Sequence, residues 1–185
     1  MIDILSNNVY VINRFCDKSI CETLIEDLVN LNVFPDIMHS DLLINLNLED
    51  NLQDRDSKRI VYSSKELAGE IWSALLSHNI LEIVPDAVAV NESIRFYKYL
   101  VGDYFLPHLD SPVKISNDEY SEHSLLIYLN HNFEGGATKF GNLYVEPHCG
   151  KLVFFNHNEM HSGEPVLNSV KYILRSDIIS NFSKK

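Results

Sequence analysis

Two residues of this chain could hold a metal ion from one side of a single extended segment. His108 and Asp110 lie two apart. Side chains on an extended backbone alternate with period two, so this imidazole and this carboxylate would point the same way. A second imidazole from elsewhere in the chain, His161, would complete a 2-His-1-carboxylate face. Such a face takes three positions around an iron(II) ion and leaves the others open for exchangeable groups. A His-x-Asp pair is common by chance, so the surrounding residues must decide. His157, four residues before His161, competes for the third place on residue type alone. His39, His78, His123, His131 and His148 stand at no ligand spacing and are expected on the surface or satisfied in the core.

Bulk properties narrow the partners. At 185 residues the chain is expected to form a single domain, 1–185, large enough to bury a core without staples. Helical support is expected over about 1–90 and the β core over about 91–182. No apolar run is long enough to span a membrane, and Met1-Ile2-Asp3-Ile4 lacks the basic-then-apolar layout of a secretory signal. No membrane partner is therefore expected, and the expected location is cytoplasmic. Cys16, Cys21 and Cys149 are an odd set without metal-site spacing, as expected of buried thiols in a reducing compartment. Lys and Arg number 15 against 26 Asp and Glu, and 15 − 26 gives the net charge of −11. Phosphate binding draws on Lys and Arg, so nucleic acid is not expected as a partner.

The elements that must position the triad follow from periodicity. Val9-Tyr10-Val11-Ile12 reads as a short strand. Ser19 and Glu22 resemble a capping box, followed by Ile20, Leu24, Leu28 and Leu31 at helical spacing, which predicts a helix over about 18–32. Residues 40–58 are loop-like and strongly polar from Glu49 to Asp56, either a surface loop or a flap over a channel. Ser63 as N-cap with Glu66 three residues later opens a second helix, whose face carries Leu67, Ile71 and Leu75. From Ile94 the pattern becomes β, with strands at Ile94–Leu100, Ser124–Leu129, about 137–145, Lys151–Phe155 and Val170–Ile179. Helices followed by closely spaced strands indicate an α+β fold, with the helices packed on one face of a β-barrel or sandwich.

Three ordered blocks carry a family resemblance. Arg95, Phe96, Tyr97, Tyr99, Gly102, Phe105, Pro107, His108 and Asp110 follow the pattern RFYxY-xxG-xxF-xPHxD. Tyr128, Leu129 and Asn130, then Phe133, Gly135, Gly136, Thr138 and Phe140, are similar to YLN…F-x-GG-x-T-x-F. The third block runs from Val145, Pro147, Gly150 and Phe154 to His161, Gly163 and Val166. It ends in Lys171, Tyr172, Leu174, Arg175 and Asp177. Together they resemble the prolyl 4-hydroxylase-like 2-oxoglutarate/Fe(II) oxygenases over about residues 60–180.

The resemblance implies a double-stranded β-helix, or jelly-roll, core with the N-terminal helices on one face. It implies Fe(II) held by His108, Asp110 and His161, with 2-oxoglutarate and O2 as cosubstrates and ascorbate as an auxiliary reductant. His161 is preferred to His157 because Ser162-Gly163 and a basic residue ten positions on fit the motif. Lys171 falls where the family binds the distal carboxylate of 2-oxoglutarate. Arg175 shares that face about 13 Å further along at strand rise, and is the auxiliary or substitute anchor. Tyr99 and Tyr128 fall on positions lining the cosubstrate pocket. Arg95 and Tyr97 share the face of Tyr99 and are candidates to touch the primary substrate. Gly135-Gly136 is read most simply as a turn. The implied substrate is a peptidyl, prolyl or amino-acid-like C–H. A small-metabolite hydroxylase and a non-catalytic jelly-roll binding module stand as alternatives.

Overall fold

A computed structural model describes residues 1–30, 58–181 and 183. In chain order the described elements are β1 (Asp3–Ser6), β2 (Val9–Ile12), α1 (Lys18–Asn30), β3 (Lys58–Ser63), α2 (Lys65–Ser77), β4 (Ala87–Val90), β5 (Ser93–Tyr99) and β6 (Phe105–His108). Then come β7 (Glu119–Tyr128), β8 (Glu134–Gly135), β9 (Thr138–Phe140), β10 (Leu143–Val145), β11 (Leu152–Asn156), β12 (His161–Gly163), β13 (Val166–Asn168) and β14 (Lys171–Asn181). The large sheet runs β1-β2-β11-β7-β14-β5-β3, with β4 also on β14. The small sheet runs β10-β9-β12-β6, and β8 pairs with β13. Antiparallel strands shared between two facing sheets make a jelly roll. Among the described residues no helix is long and apolar enough to cross a membrane.

The large sheet is buried on both faces, which explains why its strands read as continuous apolar runs rather than alternating ones. On one face Ile94, Phe96, Leu125, Ile127, Leu152, Phe154 and Leu174 pack with Ala68, Ile71 and Leu75 of α2. On the other, Leu126, Tyr128, Val153, Phe155 and Ile173 pack against Phe140, Val145 and Val166. Each fully buried aliphatic or aromatic side chain contributes about 1.5–3 kcal/mol. These two layers hold β14 and β5 rigidly, and the inner layer is where the chemistry-bearing residues project.

Local boundaries differ from the periodicity in four places. Helix α1 starts at Lys18, with the carbonyl of Asp17 accepting from Ile20 and Cys21. Ser19 therefore lies inside the helix instead of capping it, and Glu22 pairs with Lys18 at 3.2 Å. Ser63 is the last residue of β3, paired across to Ser93, so the cap of α2 moves one residue on. Ser64 has extended backbone, and its hydroxyl accepts from the Leu67 N–H at 3.2 Å. The segment expected as one strand over 137–145 is a hairpin, β9 and β10, folded at Gly141 (φ 57°) with Leu143 opposite Phe140. Of the loop expected at 40–58, Lys58 begins β3 and the rest lies outside the described residues.

The displaced cap makes a direct test. Ser64→Ala should cost about 1 kcal/mol of stability, the usual cost of a lost N-cap hydroxyl, whereas Ser63→Ala should cost clearly less. Urea melts of the two variants check this, and equal losses would return the cap to Ser63.

Candidate metal centre

Strand β6 carries Pro107 and sits at the edge of the small sheet, where a residue without an N–H can be accommodated. Its last residue, His108, is paired directly across from His161, the first residue of β12. The two rings stand 4.2 Å apart, centroid to centroid. Asp110 follows β6, with its N–H donating to the carbonyl of His157 at 3.2 Å. Its carboxylate faces both rings: Oδ1 is 3.7 Å from His108 Nε2 and Oδ2 is 3.6 Å from His161 Nε2. One donor atom from each of the three lies within 4.8 Å of the other two.

Both imidazoles are set to offer Nε2 lone pairs. His108 Nδ1 lies 2.8 Å from the carbonyl of Leu106, and His161 Nδ1 lies 2.9 Å from that of Glu159. A carbonyl only accepts, so each Nδ1 carries the proton and each Nε2 is left for a metal. Burial is the main reason the His161 pKa falls to about 4, and the ring is neutral at pH 7. Burial pushes the Asp110 carboxyl up, but Arg175, His161, the Ser124 hydroxyl and His108 together bring it below its ordinary value. Two neutral imidazoles and one carboxylate suit a divalent ion of the iron type, with coordination positions to spare.

Beyond the triad the inner layer holds a buried cation. Lys171 is only 2% exposed. Its Nζ donates to the carbonyl of Gly136 at 2.6 Å, and it lies 5.0 Å and 5.7 Å from the ring centroids of Tyr99 and Tyr128. Burial lowers its pKa to about 7, and among the described residues no carboxylate pairs with it. A buried ammonium left with one carbonyl and two aromatic faces is the half of an ion pair that an anionic ligand would complete. Lys171 lines the same cavity as His108 and His161, together with Tyr99 and Thr138. That cavity is about 30 Å³, so a dicarboxylate enters it only as lining side chains turn aside.

Residues 94–176, which include the triad and Lys171, match the family described as the 2OG-Fe(II) oxygenase superfamily. That segment carries the pattern of the superfamily. An uncharacterized protein of Fowlpox virus (strain NVSL) is 30% identical over 151 residues, covering 72% of this chain and 34% of that protein. The chain thus spans about a third of the length of this relative. Among solved structures, a viral collagen prolyl hydroxylase of Paramecium Bursaria Chlorella virus-1, in complex with 2OG, superposes with a TM-score of 0.67 at 18% identity, covering 94% of this chain and 96% of that one. A Pseudomonas putida prolyl-4-hydroxylase gives 0.63 at 16% identity, covering 92% and 91%. A Trichoplax adhaerens prolyl hydroxylase, in complex with a hypoxia inducible factor oxygen degradation domain peptide fragment, gives 0.64 at 18% identity, covering 95% and 84%. At these identities the likeness is one of fold.

For a 2-oxoglutarate/Fe(II) oxygenase the donor set fits the metal, and Lys171 fits the cosubstrate. Of the other sequence-nominated residues, Tyr97, Tyr99 and Arg175 line the same cavity as Lys171, and the Tyr128 ring lies beside the Lys171 ammonium. Arg175, expected as an auxiliary cosubstrate anchor, places Nη2 2.6 Å from Asp110 Oδ1 and donates to Ser124 Oγ at 3.0 Å. The strand separation from Lys171 leaves Asp110 as its nearer anion. Arg95, expected toward substrate, donates to Asp177 Oδ2 at 3.1 Å. Tyr97 is buried beside the Arg175 guanidinium. His157 is not brought to the triad. It lies 3.7 Å from Asp177 and holds the Asp110 backbone through its carbonyl.

Three contributors were given no site role from the sequence, although Gly136 and Thr138 stand in the second motif block. Ser124 donates to Asp110 Oδ2 at 2.5 Å, and Thr138 accepts from the Tyr128 hydroxyl at 2.7 Å. Ser124 looks like an ordinary strand residue, and Thr138 is marked only by its motif position. Gly136 does more than turn the chain: a Cβ there would sit 3.0 Å from Lys171 Cδ and 3.1 Å from Phe133 Cε2. Its missing side chain is the space through which Lys171 reaches the Gly136 carbonyl.

Proposed function

We propose that this chain is an Fe(II)/2-oxoglutarate-dependent dioxygenase that hydroxylates an unactivated C–H of a peptidyl, prolyl or amino-acid-like substrate, with release of succinate and CO2. The observation that carries this reading is the cavity that His108 and His161 of the triad share with Lys171, which among the described residues has no carboxylate partner. When bound, Fe(II) and 2-oxoglutarate supply the oxidising chemistry that activates O2 toward a C–H bond. The protein's residues do the rest. The carbonyls of Leu106 and Glu159 fix the two imidazoles as Nε2 donors. Arg175 and Ser124 orient the carboxylate of Asp110. Lys171 holds the far carboxylate of the cosubstrate, with Tyr99 and Tyr128 walling its path and the apolar inner layer keeping water out. Tyr97 lines the same cavity and faces the primary substrate, while Arg95 braces Asp177 behind it.

A peptide-like substrate is supported by the solved neighbours, one of which is in complex with a peptide fragment, and by the chain's net charge of −11, which repels phosphates. The test is a succinate-release screen of prolyl peptides, free amino acids and methylated oligonucleotides, with mass spectrometry for a product heavier by one oxygen atom. Peptides or amino acids should stimulate turnover most. Robust oligonucleotide demethylation would overturn the charge argument. Turnover on a free metabolite with no peptide activity would keep the enzyme class and replace the substrate.

A further inference from the structure

Three thiols from distant parts of the chain meet on the side of the large sheet away from the metal centre. Cys16 stands two residues before α1, Cys21 lies in α1, and Cys149 lies on the turn between β10 and β11. All three are free thiols. The N–H groups of Phe15 and Cys16 both donate to the carbonyl of Gly150, at 2.8 and 3.2 Å. Gly150 has φ +77°, and a Cβ on it would collide with the Cys16 carbonyl. The N-terminal segment is therefore seated backbone to backbone on the β10–β11 turn, which fixes where its sulfurs lie.

The sulfurs are not equivalent. Cys16 Sγ lies 3.4 Å from Cys21 Sγ. Cys16 is half-buried and Cys21 fully buried. Cys149 donates its S–H to the carbonyl of Leu129 at 3.2 Å, which parks it on the backbone. Cys16 sits just before a 13-residue helix, where unpaired N–H groups favour negative charge. The hydrogen bond between the two sulfurs is the main reason the Cys16 thiol falls below its ordinary value. Burial is the main reason the Cys149 thiol is pushed up to about 12.

We propose that Cys16 and Cys21 form a reversible oxidation site that takes hydroperoxides, with Cys16 as the attacking sulfur and Cys21 as the resolving one. The Cys16 thiolate attacks one oxygen of the peroxide and the O–O bond breaks. Two electrons pass from sulfur to oxygen, hydroxide (or an alkoxide) leaves, and Cys16 becomes a sulfenic acid. The Cys21 sulfur then attacks the Cys16 sulfur. The S–O bond breaks as the S–S bond forms, and the departing hydroxide takes the Cys21 proton as water. In sum, two thiols and one hydrogen peroxide give one disulfide and two waters. Both cysteines belong to one continuous segment at the start of α1, so closing the bond moves neither sheet. An exchanging dithiol reverses it.

The test uses the full 185-residue chain, reduced and free of metal, with a slight excess of hydrogen peroxide. The product should be lighter by two hydrogens. After alkylation and trypsin, peptide 15–18 should be linked to peptide 19–55, with Cys149 fully alkylated, and dithiothreitol should restore the starting mass. Cys149→Ser should behave as wild type, and Cys16→Ser should form no bridge. Before oxidation, Cys16 should alkylate at pH 7 about tenfold or more faster than Cys149. A bridge to Cys149, a normal bridging rate in Cys16→Ser, or stepwise oxygen addition to Cys16 without a bridge would each overturn the assignment. The wild-type peptide map decides the connectivity even where a variant folds poorly.

Discussion

His161→Ala is expected to abolish Fe(II) binding, while His157→Ala, four residues away, keeps it. His161 is opposite His108 in the sheet, has its Nδ1 proton tied to Glu159, and aims Nε2 toward Asp110 3.6 Å away. Its removal leaves two of the three donors. That loss should exceed the roughly 10–100-fold that changes to outer partners of a metal site cost. His157 acts on the site through its carbonyl, which takes the Asp110 N–H, and alanine keeps a carbonyl. His157→Ala should therefore lower Fe(II) affinity by no more than that 10–100-fold range. It should show chiefly as lost stability, because its ring is packed near Asp177. Burial pushes Asp177 up, yet His157, Arg175 and Arg95 hold its pKa down at about 2. Anaerobic Fe(II) titration, followed by the weak visible band that 2-oxoglutarate adds, measures both variants, with circular dichroism as the check on folding. A normal band in a folded His161→Ala protein would remove the metal-site assignment.

The triad was legible because two separate regularities met on it. Period two put His108 and Asp110 on one side of an extended segment, and the order of three motif blocks set His161 apart from His157. Lys171 was legible on the same ground. What period two cannot give is which neighbour a side chain meets across the sandwich. It placed Arg175 correctly on the face of Lys171, yet the anion Arg175 meets comes from Asp110, beyond the end of β6 in the opposite sheet. The roles of Ser124 and of Thr138, a motif residue, were hidden for a related reason, since what a strand hydroxyl does is known only when its partner is known. Strand β3 was hidden by its context. Lys58 and Arg59 continue the polar stretch before them, and Ser63 resembles a helix cap until its pairing with Ser93 is seen.

Lys171→Ala is expected to raise the apparent KM for 2-oxoglutarate by tenfold or more while leaving Fe(II) affinity near wild type. A hydrogen bond to a charged group is worth about 1.5–3 kcal/mol, or roughly 10- to 150-fold. The triad's own hydrogen bonds do not pass through Lys171. The pH dependence carries a second signature. Burial holds the free lysine at about pKa 7, and a bound carboxylate would raise that value by favouring the charged form. Binding is then strongest below the free pKa. It weakens as pH rises above about 7, by up to tenfold per pH unit until the raised bound value is passed. In Lys171→Ala this slope should vanish, leaving a flat, weak KM across the same range. Arg175→Met supplies the contrast. It strips Asp110 of its 2.6 Å partner, so it should weaken Fe(II) binding first and keep the pH slope of the cosubstrate KM. If the pH slope survives in Lys171→Ala and disappears in Arg175→Met, the two cations must exchange roles.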